Sequence, residues 1–159
     1  MQVQLPINPQ LIWVGGALDN HTRLLGRHVG ADQHYVQWYE KQRLMRLLQS
    51  YSPEQIVLVG HSYGASTAAK LVAKGHSVHV LITLDPVGWQ PVALHRIPQH
   101  CHYWLNVRAA DTKANFANWV ARAGGWWQHA PKQFAHQHLE IHADHALVVS
   151  KALAQLPRL

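Results

Sequence analysis

The segment Gly60-His61-Ser62-Tyr63-Gly64 places one serine between two glycines. It follows the apolar, β-branched run Gln55–Val59 and precedes an alanine-rich stretch that ends at Gly75. The run predicts a buried strand and the stretch predicts a helix, so Ser62 lies on the turn between them. The glycines suit a turn where strand and helix pass close together, and the helix N-terminus directs its amides toward a developing oxyanion. This setting favours a nucleophilic serine over one that only caps the helix.

The rest of the chain predicts the elements that must hold this turn in place. Apolar runs alternate with segments of helical spacing, and no repeat or linker interrupts them. This alternation implies an α/β fold with right-handed crossovers, a mostly parallel sheet of about six strands, and helices on both faces. We expect residues 1–159 to form a single domain. The predicted strands are Leu11–Val14, His34–Tyr39, Gln55–Val59, Val78–Leu84, His102–Val107 and Gln137–Ile141, and the predicted helices are Thr22–Val29, Lys41–Gln49, Ala65–Lys74, a short one within 112–135, and Ala143–Leu153.

Three stretches of the chain resemble the α/β-hydrolase superfamily. Ile56–Gly64 resembles its nucleophile elbow, Ile12–Leu18 its early strand and glycine-containing oxyanion turn, and Val80–Val87 small bacterial and thioesterase-like members. The order of elements is similar from about residue 10 to 155, although the family's first pair of strands has no obvious counterpart. The resemblance implies a trimmed, minimal α/β-hydrolase fold. It also implies an esterase, lipase or thioesterase type of activity that needs no cofactor and no metal.

The resemblance further implies that the acid of a catalytic triad follows the serine along the chain. Four acidic residues come after the serine, namely Asp85, Asp111, Glu140 and Asp144. We expect Glu140 inside a strand. Asp144 directly precedes His145, the histidine that it would have to orient, and is too close to it. Asp85 ends the strand after the nucleophile helix, whereas Asp111 follows the next strand. Asp85 is favoured and Asp111 stays open, because either could instead serve a turn or a helix cap.

The same chain order directs attention to the late histidines as the general base. His145 precedes the last predicted helix, where the family holds its catalytic histidine, and His142 is the alternative. The chain contains 14 histidines, so most of them must be ordinary polar residues. For the oxyanion, the family uses two backbone N–H groups. In this chain they would belong to Tyr63, directly after the serine, and to Ala17 in the early glycine turn.

These assignments imply acyl transfer through a covalent intermediate. Neutral His145 would take the proton of Ser62 as the serine attacks an acyl carbonyl, and Asp85 would stabilise the imidazolium. The expected partner is a small-molecule carboxylic ester or thioester. The leaving group, the acyl length and the oligomeric state stay open, as does the choice between an acyl-pocket role and simple packing for Trp126 and Trp127.

Two alternatives from other functional classes compete with this interpretation. A metal-binding protein could draw on the late histidines, because a His-x-His pair on a strand presents both imidazoles on one face. A non-catalytic binding protein could use the hydrolase fold together with its basic charge and aromatic residues. The histidines considered for a metal are His136, His138, His142 and His145.

Composition sets the remaining expectations. The formal charge is +6, but the basic residues are scattered and form no nucleic-acid motif, so no nucleic-acid partner is expected. Apolar runs are too short for a transmembrane segment, and Met1–Pro6 lacks the features of a signal peptide. The single cysteine, Cys101, has no partner for an internal disulfide, which suits a reducing compartment. We therefore expect a cytoplasmic protein.

Overall fold

A computed structural model describes residues 3–89 and 92–159 of the chain. In this part, six strands form one sheet in the order β2-β1-β3-β4-β5-β6, and every neighbouring pair is parallel. The predicted parallel α/β architecture is therefore confirmed. The strands are β1 (Gln10–Gly15), β2 (His34–Gln37), β3 (Ile56–His61), β4 (Val78–Leu84), β5 (Cys101–Ala109) and β6 (Gln137–Ile141), and the α-helices are α1 (Asp19–Thr22), α2 (Lys41–Ser50), α3 (Tyr63–Ala73), α4 (Phe116–Ala123) and α5 (Val148–Leu153).

Successive residues of β3 pack on opposite faces of the sheet, as strand geometry requires. Val57 and Val59 belong to a core that includes residues of α5. Ile56 and Leu58 belong to the other core, which includes residues of α2 and α3. Because both faces are covered, β3 is apolar without alternation, and the prediction of helices on both faces is confirmed.

The prediction of one helix over Thr22–Val29 is wrong. The structure instead has the short helix α1, which ends at Thr22, and a single 3₁₀ turn at Gly26–His28. Arg23 adopts a left-handed conformation (φ 50°) that ends α1. The carboxylate of Asp19 then accepts the N–H groups of Leu25 (2.8 Å) and Gly26 (3.2 Å), so the backbone bonds to a side chain instead of continuing a helix.

The last helix is shorter than predicted, since α5 begins at Val148 and not at Ala143. The Asp144 carboxylate accepts the N–H groups of Ala146 (2.9 Å) and Leu147 (2.8 Å), which holds the chain in a turn before α5. This turn contains His145. Other predicted elements differ from the structure by a few residues at their ends, which is the ordinary uncertainty of such boundaries.

Candidate active site

Ser62 occupies a sharp turn between β3 and α3. Its backbone has φ 56° and ψ −125°, a conformation that costs a non-glycine residue about 1–3 kcal/mol. The neighbouring glycines let the two elements approach each other: a Cβ on Gly60 would lie 2.6 Å from the Cα of Ala65, and one on Gly64 would overlap the carbonyl of Val14. The glycine spacing in the sequence therefore follows from the close crossing of strand, helix and β1.

Three side chains form a hydrogen-bonded row at the carboxyl ends of β3 and β4. His145 Nδ1 lies 2.6 Å from Asp85 Oδ2, and His145 Nε2 lies 3.0 Å from Ser62 Oγ. All three residues are buried, with exposed fractions of 1% for Asp85 and 4% for His145 and Ser62. Because a carboxylate only accepts, Nδ1 carries the proton toward Asp85, which leaves Nε2 of an uncharged ring to accept a hydrogen bond from the Ser62 hydroxyl.

Asp85 is held by donors on both of its oxygens. Oδ1 accepts the backbone N–H of Ala109 at 2.8 Å. Oδ2 accepts the indole N–H of Trp126 at 2.8 Å in addition to His145. A buried charge is costly unless it is paired and hydrogen-bonded, and these three donors meet that requirement. The residue itself has φ 45°, and its own N–H bonds to Val107 O at 2.7 Å.

A short antiparallel contact brings Trp126 to Asp85. The segment after β4 pairs with the segment after α4 through a bridge between Val87 and Trp126. Two backbone bonds flank it, from Gly88 N to Gly125 O (2.8 Å) and from Trp127 N to Pro86 O (3.1 Å). We call these paired segments, 86–88 and 125–127, the clasp. The Trp127 indole donates to Gly88 O at 3.0 Å, so both tryptophans of the clasp use their N–H groups inside the protein.

The backbone of His145 is held on two sides. Its N–H donates to Asn118 Oδ1 at 2.9 Å, and its carbonyl accepts from His61 Nε2 at 3.0 Å. Asn118 is fully buried, and its amide nitrogen donates to the carbonyls of Asp111 (2.7 Å) and Lys113 (2.9 Å). The position of the imidazole is therefore determined by protein atoms from several elements.

His61 packs directly against the His145 ring, with 4.8 Å between ring centroids. Burial, followed by repulsion from His145, lowers the pKa of His61 to about 4. At neutral pH His61 is therefore an uncharged ring, and its Nε2–H is the group that donates to the His145 carbonyl. It adds a donor beside the row without adding a positive charge.

The two amides predicted for the oxyanion flank the serine. A Cβ on Gly16 would lie 2.7 Å from Ser62 Cβ, so the turn that contains Ala17 packs directly on the serine. Tyr63 is the first residue of α3. Within residues 3–89 and 92–159, neither the Ala17 nor the Tyr63 N–H donates to a protein acceptor. An oxygen bound beside Ser62 would find neither amide already bonded to a protein acceptor.

The alternative acid and base lie elsewhere. Asp111 Oδ1 accepts the N–H of Lys113 at 3.0 Å in an Asx turn. The side chain of His142 is exposed, and its carbonyl accepts from Lys151 Nζ at 2.9 Å. Neither side chain hydrogen-bonds to Ser62, and His142 does not reach an acid, in the part of the chain that the structure describes.

The four histidines of the metal alternative are not brought together. His136 Nδ1 accepts the N–H of Trp104 at 2.9 Å and its ring stacks on Tyr103, while His145 belongs to the row with Asp85. His136 also precedes β6 and does not share a strand with His138, so the predicted alternation does not apply. His138 instead lies near His129 and Glu140.

Sequence reasoning did not identify three residues that contact the row, namely His61, Asn118 and Trp126. His61 was visible within the Gly60–Gly64 motif, but the motif does not specify what its side chain bonds to. For Trp126 the sequence left open the choice between lining an acyl pocket and simple packing. Asn118 had no signal, because an asparagine in a helix is not distinctive without its partners.

Comparison with known proteins places the chain in a family. Residues 22–133, more than half of the chain, match the family model described as alpha/beta hydrolase fold; this span contains Ser62 and Asp85 and ends before His145. None of the curated proteins matches. The crystal structure of TT1662 from Thermus thermophilus is 12% identical, with 94% of this chain and 89% of that chain covered and a TM-score of 0.46. Within the described residues, the helices are too short or too polar to cross a membrane. By its sequence match and its parallel sheet, the chain belongs to the α/β-hydrolase family.

Proposed function

We propose that this protein is a serine hydrolase that cleaves a carboxylic ester or thioester through an acyl-enzyme on Ser62. The observation that carries the proposal is the buried row in which Asp85, His145 and Ser62 are joined at 2.6 and 3.0 Å. Membership of the α/β-hydrolase family favours hydrolytic chemistry independently of that geometry. Nucleophile, base and orienting acid within hydrogen-bond reach are the arrangement that acyl transfer requires.

The reaction begins with proton transfer from Ser62 Oγ to His145 Nε2 as Oγ attacks the acyl carbonyl. The carbonyl oxygen becomes an oxyanion, which the N–H groups of Ala17 and Tyr63 stabilise. Asp85 keeps the proton on Nδ1 and stabilises the imidazolium. When the intermediate collapses, His145 returns the proton to the alcohol or thiol that leaves, and the acyl group stays on Ser62.

Deacylation repeats these steps with water as the nucleophile. His145 takes a proton from the water as its oxygen attacks the acyl-enzyme, and the oxyanion forms at the same two amides. Collapse then expels Ser62 Oγ, which recovers its proton from His145. The free acid is released and the row is restored. Each turnover consumes one ester or thioester and one water and yields the acid and the alcohol or thiol.

A cavity borders α3, the helix that begins directly after Ser62, and we assign it to part of the substrate. It has a volume of about 220 Å³, and its lining includes Tyr63, the residue after the nucleophile. Aromatic rings of Trp38, Tyr63 and Trp89 provide an apolar lining, and Lys41 and Lys70 add positive charge at its side. This lining favours a compact acyl or leaving group that carries an anionic substituent.

The first experiment is labelling with a fluorophosphonate, followed by peptide mass spectrometry. We expect one adduct on the peptide that contains Ser62 in the wild-type protein and none in the folded Ser62→Ala variant. His142→Ala is the matched control, because it removes an exposed histidine that lies outside the row, and it should label at the wild-type rate. Absence of an adduct from folded wild-type protein would overturn the proposal.

Substrate class is tested by comparing acyl groups and leaving groups at fixed enzyme concentration. Acetyl, butyryl and succinyl esters of p-nitrophenol, and the thioesters of the same acids, separate chain length, charge and leaving group. We expect the anionic succinyl compounds to have higher kcat/KM than the butyryl ones, and Lys70→Gln to reduce that preference. Equal kcat/KM for both in wild type would contradict the role assigned to the two lysines.

A further inference from the structure

A second cluster of ligand-forming atoms lies on β6 and the loop before it. His138 and Glu140 are two residues apart on β6, which places both side chains on the same face. His129 belongs to the preceding loop and approaches that face. One ring nitrogen of each histidine and one carboxylate oxygen of Glu140 all lie within 4.8 Å of one another.

The separations suit one small divalent cation. His129 Nδ1 lies 3.4 Å from Glu140 Oε1, and His138 Nε2 lies 3.9 Å from the same oxygen. Ligands bound to tetrahedral Zn²⁺ at about 2.0–2.1 Å are separated by about 3.4 Å. The two distances to Glu140 Oε1 are close to that value, and the two histidine nitrogens, which lie within 4.8 Å of each other, can approach it by rotation of the exposed His129 side chain. Two imidazoles and a carboxylate are ligands that Zn²⁺ accepts, with water at the remaining position.

His138 provides an independent sign of a ligand. Its side chain is only 6% exposed, and its Nε2 is buried without a hydrogen-bond partner within the described residues. A buried polar atom left unpaired costs about 1–3 kcal/mol, so such atoms usually have a partner. The same unpaired Nε2 lies 3.9 Å from Glu140 Oε1 in the cluster.

The other ring nitrogen of His138 contacts a side-chain amide. His138 Nδ1 lies 3.0 Å from Nδ2 of Asn106. Metal binding at Nε2 requires this amide to turn, so that its oxygen accepts the Nδ1 proton and its nitrogen donates to Thr83 Oγ1, which in the structure donates to Asn106 Oδ1 at 2.7 Å. Metal-bound histidines are commonly held by such a contact.

Arg108 contacts only one of the two oxygens of Glu140. Its guanidinium contacts the second oxygen of Glu140, with Nη1 3.2 Å from Oε2, while Oε1 faces the two histidines. Arg108 is mostly buried and also donates to Gln128 at 2.9 Å, so it orients the carboxylate from one side. Each Glu140 oxygen thus has a separate role.

We propose that His129, His138 and Glu140 bind one Zn²⁺ ion, with solvent completing its coordination. The ion would join the loop residue His129 to strand β6. Trp126 of the clasp lies three residues before His129, so the same ion would limit movement of the segment that holds Asp85. The site does not depend on Ser62 chemistry, and its test is independent of the proposed function.

The test is titration of metal-free protein with Zn²⁺ in competition with a chromophoric chelator. We expect one equivalent to bind, and the thermal midpoint Tm to rise on binding. His129→Ala and Glu140→Gln should each weaken binding by at least about tenfold, because each removes one of three protein ligands. Both residues are exposed, so these variants are expected to fold.

Adventitious binding is the rival outcome in a chain with 14 histidines. The matched control is the double variant His79→Ala/His102→Ala, which removes a stacked histidine pair 4.9 Å apart and leaves the cluster intact. We expect it to bind as wild type does. Unchanged affinity in both His129→Ala and Glu140→Gln, or loss of binding in the control alone, would overturn the proposal. Ser62→Ala should bind Zn²⁺ normally whatever its activity.

Discussion

His145 and His138 are both buried histidines, yet they have very different surroundings. Each ring nitrogen of His145 has a protein partner, and its backbone N–H and carbonyl are also bonded. His138 has a partner at Nδ1 only, and its Nε2 is unpaired among the described residues. Burial alone therefore does not assign a histidine to a function.

The comparison distinguishes a site whose hydrogen bonds are all made within the chain from one in which a buried nitrogen needs an added ligand. Around His145, every polar atom that orients the ring comes from the chain, so the row is preorganised and should change little on substrate binding. Around His138, the chain supplies three ligand atoms and leaves one buried nitrogen to be satisfied. The predictions below test this distinction, beginning with the largest expected effect.

Replacement of the two histidines should have opposite consequences for activity. His145→Ala removes the base and should lower kcat for ester hydrolysis by about 10⁴-fold or more. His138→Ala should leave kcat within about tenfold of wild type, because the ring lies outside the row. The same variant should abolish Zn²⁺ binding, because it removes one of the three proposed ligands. Steady-state kinetics and the zinc titration on both variants check this. A comparable loss of kcat in folded His138→Ala would remove the distinction.

Gly16→Ala tests whether the row depends on its close contact with the β1 turn. The added Cβ would lie 2.7 Å from Ser62 Cβ and 2.9 Å from His61 O, so the turn and its Ala17 amide must move. We expect the rate of fluorophosphonate labelling to fall by about 10²-fold, the effect of losing one oxyanion donor. Gly26→Ala is the control, because its nearest neighbour would be at 3.4 Å. Equal labelling rates in Gly16→Ala and wild type would contradict the assignment of the Ala17 amide to the oxyanion.

Trp126→Phe tests the indole donor at Asp85. The variant keeps an aromatic ring but loses the 2.8 Å bond to Oδ2, which should lower kcat about tenfold with little change in KM, in line with about 1.5 kcal/mol for a bond to a charged group. Trp127→Phe loses an equivalent bond to Gly88 O in the same clasp. If both variants lose activity equally, the effect belongs to the clasp as a whole and not to Asp85.

Acid should destabilise the fold partly through His61. Its folded pKa of about 4 lies below the unfolded value of 6.5, so the unfolded state binds more protons between these values and the free energy of unfolding falls as pH falls. The loss from this residue approaches about 3 kcal/mol near pH 4. His61 faces His145, Asp85 and Asp19. Denaturant unfolding at pH 7.5 and 4.5 measures this effect: the free energy of unfolding should fall less between the two pH values in His61→Gln than in wild type. The same fall in both proteins would contradict this assignment.

The sequence predicted the central strands of the sheet because they are apolar on both faces. Val78–Leu84 and Gln137–Ile141 were predicted with the bounds that the structure has. The errors at α1 and α5 share a cause: the carboxylates of Asp19 and Asp144 accept backbone N–H groups that a helix would otherwise have used. Such local competition is not visible in hydrophobic spacing.

For the candidate site, chain order and family resemblance singled out the three side chains that the structure joins. The residues around them could not be found in this way. Asn118, Trp126 and His61 reach the row through hydrogen bonds that span 27, 41 and 84 positions in the sequence. Contacts of that range depend on the packed fold and leave no local pattern.

The clasp also makes opening of the site observable by hydrogen–deuterium exchange. The amides of Gly88 and Trp127 are both committed to bonds across the clasp, and Trp126 lies between them. A local opening that exposes both amide protons to solvent must separate segments 86–88 and 125–127. The same opening moves the Trp126 indole away from Asp85. The exchange rates of these two amides should therefore be correlated and should report how often the carboxylate loses that donor.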